Sequence, residues 1–302
     1  MAETLATYTV PEHHAQLYTT NVRASLAKTG GQLRGLVSNG VYSGERAQVV
    51  NFLGPIFFKK RNNVYGDTEH SEVEHTQRWI TGEEYDCAVL IDRLDALKMI
   101  YQPDSQYAAR MHEAAARKED DLVVEAVFAA AKTGKQGLTA KNFPATDIIA
   151  AGGTGLTVAK LRALRKMYKK RHVDLRAEKP VLLVTADEVD ALFAEVAVTS
   201  SDYNAMKPLV DGEISQFMGI TFVPHEDSAE ATSIPQNAGK TERQLPSFVQ
   251  SGMHYGSWAE IVFAFDRLPT KNNIHQVHGT FMAGATRLEE GKVLRVDAVI
   301  PA

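Results

Sequence analysis

The chain lacks most of the features that announce a chemistry. Cys87 is its one cysteine in 302 residues, so no intrachain disulfide can form and a reducing cytoplasm is the expected place of synthesis. Neither charge sign is in excess: 33 Lys and Arg stand against 37 Asp and Glu, a formal net charge of −4, too small to draw the whole chain to nucleic acid or an anionic membrane. No run approaches the roughly eighteen uncharged apolar residues of a membrane span. The first residues, Met-Ala-Glu-Thr-Leu-Ala-Thr-Tyr, have no basic or apolar region of a secretory signal. No repeat of about 20–50 residues appears, and no Ser, His and Asp set carries the local signature of a nucleophilic site. A lone cysteine could be a nucleophile, but Cys87 lies in Tyr-Asp-Cys-Ala-Val-Leu-Ile (85–91) and reads as a small strand residue. An enzyme is not expected, and neither is a cofactor.

What is present reads as a folded protein. The chain is 44% hydrophobic and 23% charged, ordinary for a globular domain. Its length is near where a single core stops growing, so one large or two smaller cores are expected.

The most informative stretch is a hairpin over 46–84 with no evident core of its own. Its first strand, 47–58, is rich in large apolar groups, while its second, 68–78, holds one apolar side chain, Val73. A strand polar on both faces cannot take its register from burial, and an isolated hairpin is marginal in water. A surface supplied by another molecule is the expected complement. Phe52, Phe57 and Phe58 are candidate anchors on that surface. Glu69, Glu72, Glu74, Arg78 and Trp79 are the candidate contacts of the second strand. The tip falls at 61–66, where Asn and Gly tolerate a tight reversal. Residues 1–45, with three acidic and three basic side chains and few apolar ones, read as an extended arm.

Pro103, Asp104 and Ser105 supply a helix start, and Gly134 the expected stop. A helix over 105–132 spans about 42 Å, the length of a spine across a flat subunit. A Gly-rich break at 150–156 precedes a second helix, 157–171, capped by Thr157, with Val158, Leu161, Leu164 and Tyr168 as its apolar stripe. From Thr157 to Lys179 there are nine basic and two acidic side chains, so Arg165, Lys166, Lys169 and Lys170 are candidate contacts for phosphates or another acidic partner. The other reading is a solvated or subunit-facing surface. Residues 180–184 read as a buried strand, 186–195 as a helix and 219–223 as a strand, with 226–247 a loop or flexible lobe. In the last third, 259–265 reads as a strand buried on both faces. In 293–300, Leu294, Val296, Ala298 and Ile300 point inward and Arg295 and Asp297 outward. Helices and strands segregate, which indicates α+β.

The run Glu-His-Ser-Glu-Val-Glu-His (69–75) is the first candidate for a metal. A strand would split it between two faces, unlike the helical His-Glu-x-x-His pattern, so no metal is expected. Residues 234–241 nearly match a phosphate-binding loop but have Ile234 in place of its first Gly. The glycines of 152–155 read as a hinge.

In this order of arm, hairpin, spine helix and C-terminal strands, the chain resembles the major capsid proteins of tailed bacteriophages, which share the Hong Kong 97 capsid fold. The resemblance is carried by residues 179–190 (Lys-Pro-Val-Leu-Leu-Val-Thr-Ala-Asp-Glu-Val-Asp) and 212–225 (Gly-Glu-Ile-Ser-Gln-Phe-Met-Gly-Ile-Thr-Phe-Val-Pro-His), similar to the family's axial domain. Residues 284–297 (Gly-Ala-Thr-Arg-Leu-Glu-Glu-Gly-Lys-Val-Leu-Arg-Val-Asp) resemble the end of its peripheral domain. The resemblance implies an arm at 1–45 and an extended loop at 46–84. A peripheral domain would take 85–179 and 252–302 with spine helix 105–132, and an axial domain 180–251. It implies a major capsid protein that assembles through hexamers and pentamers into an icosahedral shell around double-stranded DNA, located in the virion and assembled in the host cytoplasm. The implied partners are other copies of itself, a separate scaffolding protein (the hairpin begins too early for a fused one), a portal protein and packaged DNA, without membrane. The basic helix would then face the inner wall. Lys59 and Lys60 lie near the hairpin tip, but no partner for a cross-link can be mapped. An encapsulin-like bacterial shell shares the fold, and a metal-dependent hydrolase using His70 and His75 is the alternative of a different class.

Overall fold

In the computed structural model, residues 31–58, 60, 70, 72–91, 103–194, 216–226, 234–271 and 273–300 are described. The first thirty residues of the arm, the hairpin tip and Glu69 lie outside them. Strands β1 (Ser38–Val41), β2 (Arg46–Leu53), β3 (His75–Thr81) and β4 (Glu83–Ile91) come first, then helix α1 (Pro103–Phe128). Three short strands follow, β5 (Ala131–Thr133), β6 (Thr139–Lys141) and β7 (Ile148–Ile149). After them come helix α2 (Val158–Lys170), β8 (Val181–Val184) and helix α3 (Ala186–Phe193). The chain continues through β9 (Gln216–Phe217), β10 (Ile220–Pro224), β11 (Glu242–Phe248) and the long pair β12 (Met253–Leu268) and β13 (Ile274–Arg287), to β14 (Val293–Val299).

The described strands form three sheets. One has the order β1-β12-β13-β4, a second β7-β14-β11-β8-β10-β9, and a third β2-β3-β5-β6. The six-stranded sheet draws β7 and β14 from outside residues 180–251, because β14 lies between β7 and β11 and is antiparallel to β11 over its whole length. One apolar core runs through the molecule. It joins Leu122, Val123, Val124 and Val127 of α1 to Leu161, Leu164 and Tyr168 of α2, the whole of β8, and Val293, Leu294 and Val296 of β14. A small satellite of Met111, Ile91 and Val277 holds the other end of α1 on the long sheet.

Periodicity located most of these elements, and four local readings need correction. The spine helix ends at Phe128, not Lys132, because 131–133 pairs on both sides, with β3 and β6; Gly134 (φ 86°) serves the turn between β5 and β6. Within 226–247, residues 242–248 form a buried strand. Its Pro246 is tolerated because the Gln244 N–H, pointing to the same side, reaches the Pro235 carbonyl (2.8 Å), while on that side β8 pairs only with Ser247 and Phe248. The segment 259–265 is not buried on both faces: α1 covers one, and Val262 on the other stays 63% exposed. Asp297 is buried, not outward, and accepts from the Arg295 guanidinium at 2.7 and 2.9 Å.

Strand β1 is held parallel to β12 by a buried polar chain. The Ser38 hydroxyl donates to the Met253 carbonyl (2.7 Å), so toward His254 Nδ1 (2.8 Å) it accepts. The neutral imidazole of His254 then carries its proton on Nδ1, and its Nε2 accepts from the Tyr42 hydroxyl (2.7 Å). Burial, with no charged neighbour contributing, pushes the imidazole pKa down to about 4.

Candidate functional site

The hairpin is real but shorter than its sequence suggests, and its root belongs to its own subunit. Strands β2 and β3 pair antiparallel from Arg46–Thr81 to Leu53–His75, with a bulge between Gln48 and Val50. The Gly54 N–H extends the ladder to the Glu74 carbonyl (2.8 Å). Beyond it the chain presents Ile56, Phe57 and Phe58, exposed by 60%, 73% and 105%, and Leu53 is exposed beside them. Phe52 is half-buried, while Glu72 and Glu74 are exposed and precede the strand. Four large apolar side chains within six residues, open to water at and just beyond the end of β2, make a surface built to be covered.

Arg78 and Trp79 do not join that surface. Arg78 is buried: its Nε donates to the Leu288 carbonyl (2.6 Å) and its guanidinium pairs with Glu290. Trp79 Nε1 donates to the Gly134 carbonyl (2.7 Å), and its ring lies over Gly137, where a Cβ would come within 2.8 Å of the ring. Ile80 is buried as well. The reason is β5, a third strand that pairs with β3 at Arg78 and Trp79 and draws both into the subunit. At the corner after β3, the backbone of Thr81 presses on β13 so closely that a Cβ on Gly284 would sit 2.3 Å from the Thr81 carbonyl oxygen.

The root of the hairpin is part of a larger joint. Arg287, fully buried, donates through Nη1 to the carbonyls of Val127 (2.6 Å) and Ala129 (3.1 Å), and through Nη2 to that of Lys141 (3.0 Å). These include carbonyls left open by the end of α1, where a cation also complements the helix dipole. Its guanidinium lies over the Phe143 ring at 5.3 Å. Burial lowers its pKa, opposed by Glu290. Arg171 pairs with the buried Asp147 at the C-terminal end of α2. Arg171 Nη1 also donates to the Glu290 carbonyl (3.5 Å), so the buried Arg78 and Arg287 and the half-buried Arg171 tie the hairpin root, the spine terminus and the end of α2 to the end of β13 and the turn after it. Sequence reasoning missed this joint, since its partners lie up to 212 residues apart.

Helix α2 forms the second candidate surface. Leu161, Leu164 and Tyr168 are buried, as their spacing predicts. Lys160 turns inward and donates to the carbonyls of Thr154 (2.7 Å), Gly155 (2.7 Å) and Asp297 (2.9 Å), which fastens the Gly-rich turn before the helix. Lys166, Lys169 and Lys170 are exposed together with Arg162, and Arg165 is half-buried. Of the His and Glu run at 69–75, the described His70, Glu72, Glu74 and His75 are exposed, on irregular chain or at the first residue of β3. No group of three or more His, Cys, Asp or Glu suited to a metal occurs among the described residues.

A family model described as phage capsid protein matches residues 10–299. No curated protein sequence matches. Among solved structures, the capsid of the cyanophage P-SCSP1u is similar over 95% of this chain and 93% of its own, with a TM-score of 0.69 at 14% identity. The Mycobacterium phage Che8 structure matches over 97% and 98%, with a TM-score of 0.67 at 15% identity. The capsid of Ralstonia phage GP4 matches over 100% and 99%, with a TM-score of 0.68 at 9% identity.

Proposed function

The chain belongs to the phage capsid protein family, and on that premise we propose that it closes, through hexamers and pentamers of itself, into an icosahedral shell around double-stranded DNA. Its fold is the α+β, Hong Kong 97-like capsid fold, and it is a structural protein of the virion. The observation that carries the assembly reading is the projecting segment 53–58. Its apolar side chains stay largely open to water, while the root behind them is locked by Arg78, Trp79 and Ile80. An exposed apolar segment on a rigid root is suited to lie on a neighbour and hold a fixed angle to it.

In this reading residues 85–179 and 252–302, with the sheet β1-β12-β13-β4 under α1, make the peripheral domain, and 180–251 the axial domain, whose sheet also takes in β7 and β14. Assembly takes place in the host cytoplasm with a separate scaffolding protein and a portal protein. Leu53, Phe52, Ile56, Phe57 and Phe58 contact a neighbouring subunit, with Glu72 and Glu74 at the polar rim. Expression of the chain with and without a scaffolding protein, followed by sizing and negative-stain imaging, tests this. Closed icosahedral particles are expected. A chain that stays monomeric at high concentration under both conditions refutes it.

A further inference from the structure

We propose that the solvent face of α2 binds double-stranded DNA through its phosphates, without reading base sequence. The choice of DNA rests on the capsid reading above; the surface itself rests on charge and geometry. Seven Lys and Arg side chains lie between residues 160 and 171, and the structure sets two of them apart. Lys160 is consumed by three carbonyls and Arg171 by Asp147. The remaining five, Arg162, Arg165, Lys166, Lys169 and Lys170, fall at i, i+3, i+4, i+7 and i+8. They form one stripe about 12 Å long, opposite the buried Leu161, Leu164 and Tyr168.

None of the five forms an ion pair with a described residue. The helix beneath them is fixed at both ends by Lys160 and Arg171, so the cations are held at set spacing and less ordering remains to be done on binding. The stripe also has no apolar anchor: the exposed residues of α2 are Ala159 and four of the five cations. A protein partner would need buried aromatic or aliphatic contacts there, whereas phosphates need only charge. Without an aromatic on the face, stacking on single-stranded bases is unsupported, and the duplex is the favoured form.

Five phosphate contacts give a slope of about −4.5 in log affinity against log salt, a loss of roughly 500-fold between 50 and 200 mM. The test uses the full chain and fluorescence anisotropy with two labelled duplexes of unrelated sequence over a salt series. It compares the wild type, a variant with all five residues changed to Gln, and a charge-matched control with Arg46, Lys135, Lys240, Arg267 and Lys271 changed to Gln. Wild type and control are expected to bind both duplexes equally. The α2 variant should bind more than tenfold more weakly, with the slope shallower by about 4–5. Single Gln variants at Arg162 and Lys169 keep the test decisive if the fivefold variant misfolds, each removing about 0.9 from the slope. Equal slopes for the α2 variant and the wild type, a preference for one duplex, or binding of polyglutamate in place of DNA would overturn the proposal. Imaging the same preparations reports shell formation separately, so failure of DNA binding is distinguishable from failure to assemble.

Discussion

Replacing Ile56, Phe57 and Phe58 together with Ser isolates the assembly surface from the fold. All three side chains already face water, by 60%, 73% and 105%, so in the isolated subunit the substitution removes almost no burial. Surface changes of this kind fall within about 0.5 kcal/mol of neutral. Burying a large apolar side chain is worth about 1.5–3 kcal/mol. Scaled by these exposures, the three together could contribute about 4–7 kcal/mol at each contact with a neighbour. Binding costs take back part of that gain; even half of the lower figure, about 2 kcal/mol, is more than tenfold in association at every contact. Calorimetry should find a thermal midpoint close to the wild type, while light scattering and negative-stain imaging should find subunits or capsomers without closed shells. Two results would show that these side chains are not an assembly surface: shells forming at the wild-type threshold concentration, or a variant that unfolds, which would place them in an internal core.

Arg78→Ala strands Glu290 without its buried guanidinium, and loss of one partner of a buried pair costs about 3–5 kcal/mol. Lys141→Gln, the exposed partner of the same carboxylate, should cost under about 1 kcal/mol; urea titration of the two variants tests the contrast. His254 adds an acid dependence: its folded pKa, about 4, lies below the ordinary 6.5, so its neutral form is favoured by the fold. The contribution is fully present above pH 6.5 and is lost as pH falls toward 4, about 2 kcal/mol by pH 5. Thermal midpoints measured between pH 7 and 4 should fall more steeply for the wild type than for His254→Gln, and parallel curves would contradict the assignment.

Sequence alone disclosed the elements whose pattern is local. The stripe of Leu161, Leu164 and Tyr168, the strand Val181–Val184 and the capped helix Ala186–Phe193 all stand close to where periodicity puts them. Local pattern failed where a distant partner decides. The helix-favouring run through Lys132 continues α1 on paper, but pairing with β3 and β6 takes 131–133 into a sheet. Pro246 and its polar neighbours hide a strand whose order comes from β14, some fifty residues on. The charged look of 69–78 conceals that Arg78 is an internal cation, since its acceptors, Leu288 and Glu290, carry no local mark. The basic helix was legible as a run of charge. Which cations it keeps free was not, because the carbonyls that bind Lys160 belong partly to β14.

The joint around Arg287 also sets an order on synthesis. The carbonyls at the end of α1 wait for a residue 160 positions later, and Arg78 waits for Leu288, 210 positions on. Strand β14, between β7 and β11, leaves the ribosome after every other described element. A nascent chain therefore carries its apolar projection long before the root that aims it is fastened. If the segment does pair subunits as proposed, an arm that cannot yet hold an angle favours pairing of finished subunits over pairing between growing chains. Hydrogen exchange on a chain stopped at residue 286 would register this as an unprotected end of α1, and full protection there would show that Arg287 is not the fastener.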